Sequence, residues 1–462
     1  MKEMLPVFIL ALVLSVPSGA AAQDSPSHPN LLLVTVDTLR ADHLSCYGYH
    51  LETSPNIDKL AAEGVRFENA HTSIPLTGPA HFSLFSSRFP QEIGARINGI
   101  APAEGANALY LPQILRRFGY HNAAFISAWP LTSRLTHLDK WFDLYDEDLS
   151  RTYQLFNSQR YAEDVTPPAR AWLEANKERP FFLWVHYFDP HSPYHLREGY
   201  EKLKQVGSPK PVPEDLRNGD ARERIQKYDS EIAYADHHIG ILLKSLDDQG
   251  LRDNTLVVLV ADHGESLGEH DYVGHGRQLY EPIVRIPLIM RLPGKTTPGK
   301  VVKSKVSITD VTPTILDLTV RQEGEDLNIP VPFSGRSLAG SIDGGTDPEE
   351  QTVRYVTFAG KKGWMPKILA DFFIDNRMPL KMGHALGQRK VIWTPQDKEL
   401  EIFDIVADRL ELKPAKPKPG SPQYRAERKR MKSWFESTDG ASGENEMTKE
   451  DVKTLETLGY IQ

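Results

Sequence analysis

Three unbroken apolar runs, each ending in a polar cluster, limit what this chain can fold into more than any other feature. Residues 29–36 (Pro-Asn-Leu-Leu-Leu-Val-Thr-Val), 181–187 and 255–261 (Thr-Leu-Val-Val-Leu-Val-Ala) are continuously apolar rather than alternating. Runs of this kind need cover on both faces, as the central strands of a parallel sheet have. Helical patterns separate them at residues 56–63, 111–118, 167–176 (behind an N-cap at Thr166) and 222–248. The alternation predicts an α/β fold, a mixed but mostly parallel sheet flanked by helices. The runs end in Asp37-Thr38, Asp189-Pro190-His191 and Asp262-His263-Gly264-Glu265. Open α/β sheets bind ligands beyond the carboxyl ends of their strands, so the three clusters are expected to converge on one pocket.

At 462 residues the chain exceeds one ordinary core, so a large domain with a smaller one is expected. A helical run ends near Leu318, and Gly/Pro/Asp-rich sequence follows to about Glu350. Strand-like pieces at 352–358, 388–394 and 400–403 then predict a small antiparallel sheet. Residues 413–422 read as a Pro/Lys-rich linker. The basic run at 425–432 reads as a solvated helix face, with contact to an anionic surface as the alternative. Thr448 would cap a last helix ending before Gly459. The expected division is 1–22 signal peptide, 23–345 catalytic domain, 346–412 small C-terminal α+β subdomain and 413–462 linker and helical tail.

The signal peptide rests on Lys2, the apolar stretch 5–16 and Gly19-Ala20-Ala21-Ala22, with cleavage expected after Ala22. A membrane anchor is the alternative, but the stretch is short for a span. The expectation is a secreted or periplasmic protein without a transmembrane segment after cleavage. Cys46 is the only cysteine, which excludes an intramolecular disulfide and suits a packing role. A net charge of -8 leaves no global basic field for nucleic acid, so substrate anions must be drawn by a metal or by local donors.

Asp262-His263 pairs a carboxylate with an imidazole at a strand end, and Asp37 adds a second carboxylate, a donor set suited to a divalent cation. An Asp-His dipeptide alone is equally explained by a helix cap and a surface histidine. Here it follows a buried-strand pattern and precedes Gly264-Glu265-Ser266-Leu267-Gly268-Glu269-His270.

Those segments resemble the sulfatase branch of the alkaline-phosphatase superfamily. The opening 36–44 and the stretch Ser54-Pro55-Asn56-Ile57-Asp58-Lys59-Leu60-Ala61 are similar to the family's first motif. The region 262–270 with Arg285-Ile286-Pro287-Leu288-Ile289 is similar to its metal-binding segment. The resemblance spans roughly 29–338 and implies an alkaline-phosphatase-like sheet with a small C-terminal antiparallel subdomain. It also implies an ester hydrolase acting on a small-molecule, glycan or lipid ester.

Within the resemblance, Thr77-Gly78-Pro79-Ala80-His81 replaces the family's Cys (or Ser)-x-Pro-x-Arg motif, whose first residue is oxidised to formylglycine. Threonine is no substrate for that oxidation. At the start of a helix predicted over 78–87, Thr77 would meet the positive end of the helix dipole and lie near a cation able to activate its hydroxyl; a simple N-cap is the alternative. By position, Asp37, Thr77, Asp262 and His263 are the expected metal site and His191 an anion contact. His275 stands where many sulfatases carry lysine and is the expected general acid. Asn98 resembles an asparagine that donates to a non-bridging oxygen, and His81 is expected to orient the Thr77 loop. Thr38 replaces a second carboxylate of many sulfatases, and His263 replaces an asparagine of some. The site thus loses one negative charge, which favours zinc or manganese over calcium. A second metal on Asp189, His191 and His275 is the alternative.

A threonine ester must be opened by water at its central atom, a more accessible route at phosphorus than at sulfur. Phosphate or phosphonate esters are therefore the leading expectation. A sulfuric ester hydrolase using threonine directly, or a non-catalytic glycan-binding relative, are the other readings. Substrate specificity is expected in the irregular stretches 129–160 and 194–218.

Overall fold

The structure is a computed structural model; it describes residues 28–106, 108–149, 160–209, 216–321, 327–329, 332–358 and 378–440, and the backbone of Glu444–Asn445. The expected signal peptide and the helix expected after Thr448 lie outside the described residues, as do parts of both expected specificity stretches.

The large sheet has eight strands: β1 (Asn30–Val36), β2 (Val65–His71), β3 (His121–Phe125), β4 (Leu144–Asp146), β5 (Phe181–Tyr187), β6 (Thr255–Ala261), β7 (Arg285–Arg291) and β8 (Lys300–Ser307). Their order is β8-β2-β7-β6-β1-β5-β3-β4. Only β7 runs against its neighbours; the other pairs are parallel. The three apolar runs are the adjacent central strands β6, β1 and β5, buried along their whole length. Helices α1 (Pro55–Glu63), α2 (Thr77–Ser86), α3 (Leu111–Arg117), α4 (Ala162–Ala175), α5 (Gly219–Asp248) and α6 (Val311–Thr319) flank the sheet. Among the described residues, no helix is long and apolar enough to cross a membrane.

Helix α4 begins at Ala162 rather than at Pro167, so Thr166 is an interior residue and not a cap. Pro167 and Pro168 therefore lie inside the helix, where each removes a ladder hydrogen bond. Two tertiary contacts favour the longer helix. The Ala162 amide donates to Asp189 Oδ2 at 3.0 Å, and the Thr166 hydroxyl meets Tyr187 Oη at 3.0 Å. Helix α2 likewise starts one residue earlier than expected, with Thr77 as its first residue and Leu76 in the capping position. The simple N-cap reading of Thr77 is thereby corrected.

The small sheet is an antiparallel meander of β9 (Val353–Thr357), β10 (Lys381–Leu386), β11 (Arg389–Thr394) and β12 (Glu399–Asp404). Strand β10, Lys-Met-Gly-His-Ala-Leu, has too little alternation to stand out in the sequence. Helix α7 (Pro422–Thr438) follows and packs Tyr424, Met431 and Phe435 into a core shared with Leu76, Ala80, Ile97 and Trp393.

Lys390 of β11 is fully buried between two carboxylates, Glu281 at 2.8 Å and Glu411 at 2.8 Å, and so ties the small sheet to the large one. Glu411 also accepts the Glu281 amide at 2.6 Å. Removing a buried partner costs more than such a pair contributes, because the remaining charges stay desolvated. Lys390→Met is expected to destabilise the protein by roughly 3–5 kcal/mol, measured by denaturant unfolding. A loss below about 1 kcal/mol would mean that the cluster is not a structural tie.

Candidate active site

The pairing of β1 with β6 places Val36 beside Ala261, so the next residues, Asp37 and Asp262, leave adjacent parallel strands side by side. The Asp37 amide donates to the Tyr187 carbonyl at 2.9 Å, continuing the ladder one step beyond β1. Thr38 then turns at φ 54°, in the left-handed region that a β-branched residue rarely adopts. The turn is held from three sides. The Thr38 amide donates to Asp262 Oδ1 at 3.3 Å, and the Tyr228 hydroxyl donates to the Thr38 carbonyl at 2.7 Å while accepting the Arg40 amide at 2.9 Å. On the β6 side Gly264 is required, because a Cβ there would lie 2.1 Å from the Pro282 carbonyl oxygen.

Asp37, Asp262 and His263 offer ligand atoms that all lie within 4.8 Å of one another, and all three residues are buried. Asp37 Oδ1, Asp262 Oδ2 and His263 Nε2 are buried without a hydrogen-bond partner. His263 Nδ1 meets the Gly264 carbonyl at 2.9 Å, which leaves Nε2 as the lone-pair atom. Burial, then the charges of Asp262 and Glu265, push the Asp37 carboxyl well above its ordinary range. Burial pushes Asp262 up to about 6 and drives His263 down to about 3. Two like charges in a dry site, beside a neutral imidazole, are what a divalent cation offsets, and the donor set fits one.

Thr77 lies beside this group, its hydroxyl donating to Asp37 Oδ2 at 3.4 Å. His81, one turn along α2, contacts the Thr77 carbonyl through Nδ1 at 2.8 Å and Thr35 Oγ1 through Nε2 at 3.2 Å. It thus fastens the first turn of α2 to β1. Thr35 Oγ1 also accepts from Trp184 Nε1 at 2.8 Å and meets His186 Nδ1 at 2.9 Å. His186 Nε2 lies 3.7 Å from Asp37 Oδ2. The sequence reading assigned no role to His186 or Thr35; inside an unbroken apolar strand, the lone histidine was the available signal.

The other side of the pocket holds donors. Asn98 Oδ1 accepts the Gly78 amide at 2.8 Å, and its Nδ2 is buried without an acceptor. The His191 ring stacks on Phe188 at 4.2 Å and lies 5.2 Å from the His275 ring, which is 4.4 Å from His263. His275 Nδ1 is 3.1 Å from Glu265 Oε1, while Tyr194 donates to Glu265 Oε2 at 2.9 Å. Burial drives His191 and His275 down to about 3. His275 therefore presents a neutral imidazole where a lysine would present a fixed cation. Glu265 is the second partner without an assigned role in the sequence reading, although it stands in the Asp-His-Gly-Glu motif.

Six of the eight residues expected from the sequence share direct or one-step contacts around Asp37, Asp262 and His263, and His191 and Asn98 adjoin through His275 and Gly78. The alternative second metal set does not assemble among the described residues. Asp189 instead turns to Arg197 and the start of α4, and one metal-spaced group is found, that of Asp37. Arg197 also contacts Glu231 at 3.1 Å and lies over Tyr161 at 3.9 Å, which anchors the loop after His191.

Known proteins resemble this chain over most of its length. The Sulfatase family profile matches residues 29–320. An ulvan-active sulfatase of Formosa agariphila is 27% identical over 376 residues, covering 73% of this chain and 70% of the relative. An arylsulfatase of Clostridium perfringens is 26% identical, covering 68% and 78% respectively. Among solved structures, the phosphonate monoester hydrolase of Agrobacterium radiobacter shares the fold with a TM-score of 0.68 at 19% identity, covering 89% of this chain and 95% of that one.

A cation competes with protons for the buried carboxylates, so its affinity should rise with pH until both are ionised. With Asp262 near 6, affinity for zinc or manganese, measured by competition with a chromophoric chelator, should rise steeply up to about pH 6 and further while Asp37 ionises. Asp262→Ala should remain folded and lose the bound metal. Full metal content in that variant would place the ion elsewhere.

Proposed function

The chain belongs to the sulfatase family, and on that premise we propose that it is a metal-dependent hydrolase of phosphate or phosphonate esters with Thr77 as nucleophile. The observation that carries this reading is the Thr77 hydroxyl, at the first residue of α2 and beside Asp37, where the family's oxidised residue would stand. Asp37, Thr77, Asp262 and His263 would hold the cation, zinc or manganese by their donor chemistry. The bound ion supplies Lewis-acid charge that favours an ionised hydroxyl and offsets negative charge at the transferred group.

The chain's own groups do the rest. The Thr77 proton leaves toward Asp37 Oδ2, its hydrogen-bond acceptor, as the Oγ1–phosphorus bond forms and the bond to the leaving alcohol breaks. Asn98 Nδ2 and His191 meet the non-bridging oxygens, and the first-turn amides of α2 add positive potential there. His275, held at Nδ1 by Glu265, delivers a proton from Nε2 to the leaving oxygen. A neutral imidazole must first gain that proton, which an incoming anionic ester favours by its charge. Water then attacks phosphorus, giving a proton back to the now neutral His275; the phosphorus–Oγ1 bond breaks and Asp37 returns its proton to Thr77 Oγ1.

A formylglycine hydrate sheds sulfate by breaking a carbon–oxygen bond, a route closed to a threonine ester. That supports phosphorus over sulfur as the central atom. The second reading, a sulfuric ester hydrolase using Thr77 directly, draws support from the sulfatase relatives. A non-catalytic role is opposed by three buried metal-type donors, each keeping one atom without a hydrogen-bond partner.

In a panel of aryl phosphodiester, phosphonate monoester, phosphate monoester and sulfate monoester with added zinc or manganese, at least one phosphorus ester should exceed the sulfate about tenfold in kcat/KM, ~1.4 kcal/mol in the barrier. Thr77→Ala should abolish that turnover and Thr77→Ser should keep part of it. Faster sulfate cleavage by the unaltered protein would favour the second reading.

A further inference from the structure

Residues 413–432 carry eight Lys or Arg and one Glu, in a chain whose net charge is -8. The structure turns this run into a surface. On α7, Arg425, Arg428, Lys429 and Lys432 are exposed at i, i+3, i+4 and i+7, one side of the helix. Lys432 also meets Glu436 at 3.3 Å, and the adjoining side of the helix is committed to the core through Tyr424, Met431 and Phe435. A second, independent crowding lies on the other flank. The single buried carboxylate of Glu427 is shared by Arg389 at 2.8 Å, Arg430 at 3.2 Å and His384 at 3.5 Å. Arg354 is held below its ordinary range by burial and by Arg430. Arg389 and Arg430 together exceed the single negative charge of that carboxylate, which leaves this flank with positive charge to spare.

We propose that α7 and the adjoining edge of the small sheet form a docking surface for a polyanionic polysaccharide bearing closely spaced sulfate or phosphate groups. One exposed ion pair contributes less than about 1 kcal/mol. Such a surface therefore retains a ligand that engages several cations together and not a free ion. Arginine forks suit planar pairing with sulfate and phosphate oxygens. The stripe is one helix wide on an otherwise acidic protein, so it matches a narrow chain. A bilayer or a duplex would press its own negative charge against the acidic remainder. With its apolar side buried, α7 has no wedge to insert into lipid. The proposal does not depend on the nucleophile or the metal.

The test uses the full chain with dextran sulfate as probe and neutral dextran as blank, followed by fluorescence anisotropy at rising salt. Binding should be salt-sensitive. The combined variant Arg425→Gln, Arg428→Gln, Lys429→Gln and Lys432→Gln should weaken it by at least about tenfold. The pair Arg428→Gln and Lys429→Gln should lose part of it. A charge-matched control at the exposed Lys59, Lys204 and Lys244 and the half-buried Lys227, each changed to Gln, should stay within about twofold of the unaltered protein. Equal loss in the control set overturns the proposal. So does tighter binding to phosphatidylglycerol vesicles or duplex DNA than to dextran sulfate.

Discussion

Parallel pairing of β1 with β6 brings Asp37 and Asp262 together in a dry site, and much of the surrounding structure manages that repulsion. Their strands are buried end to end, so neither carboxylate can relax toward water. Asp262 spends Oδ1 on the backbone amides of Thr38 and His263, and Asp37 takes the Thr77 hydroxyl. One oxygen of each acid remains unsatisfied, next to a neutral imidazole. A bound cation would relieve this repulsion, so under the proposed function metal binding and local stability should be linked. Thr77 is part of the same arrangement, and its chemistry follows from its neighbour as much as from its own hydroxyl.

The small sheet braces the site from behind. In β9, the Val356 amide donates to the Ser73 carbonyl at 3.0 Å, on the segment leading to Thr77. The next residue, Thr357, donates its hydroxyl to the carbonyl of Gly276, adjacent to His275. One short strand thus touches the approach to both the proposed nucleophile and the proposed acid. Helix α7 extends the support. It packs on Leu76 and Ile97, the residues preceding Thr77 and Asn98, and Asp439 beyond it pairs with Arg96 at 2.6 Å.

The central strands and their terminal acids were legible because burial on both faces demands an unbroken apolar run, and a run that stops at Asp-His marks a strand end. Strand β10 was not, since Gly383 and His384 interrupt its pattern and its neighbours supply the cover. The start of α4 was also hidden. Two prolines signal a first turn, and the distant contacts of Asp189 with Ala162 and of Tyr187 with Thr166 explain why the helix begins before them. In the site, residue type at the strand ends pointed to Asp37, Asp262 and His263 as the proposed metal donors, and the family resemblance pointed to Thr77. The contact of His186 with Thr35 arises from pairing between strands 151 residues apart, and that of Glu265 with His275 from a short hairpin that pairs Ser266 with Gly274; neither follows a helix or strand period in the sequence.

The most direct test of the central claim is an acid quench of the protein during turnover of an aryl phosphate or phosphonate ester, with the peptides then weighed by mass spectrometry. The account predicts a phosphoryl or phosphonyl group covalently attached to Thr77 and absent from Thr77→Ala. A group attached instead to His191 or His275, or turnover of phosphorus esters by Thr77→Ala at the unaltered rate, would contradict it.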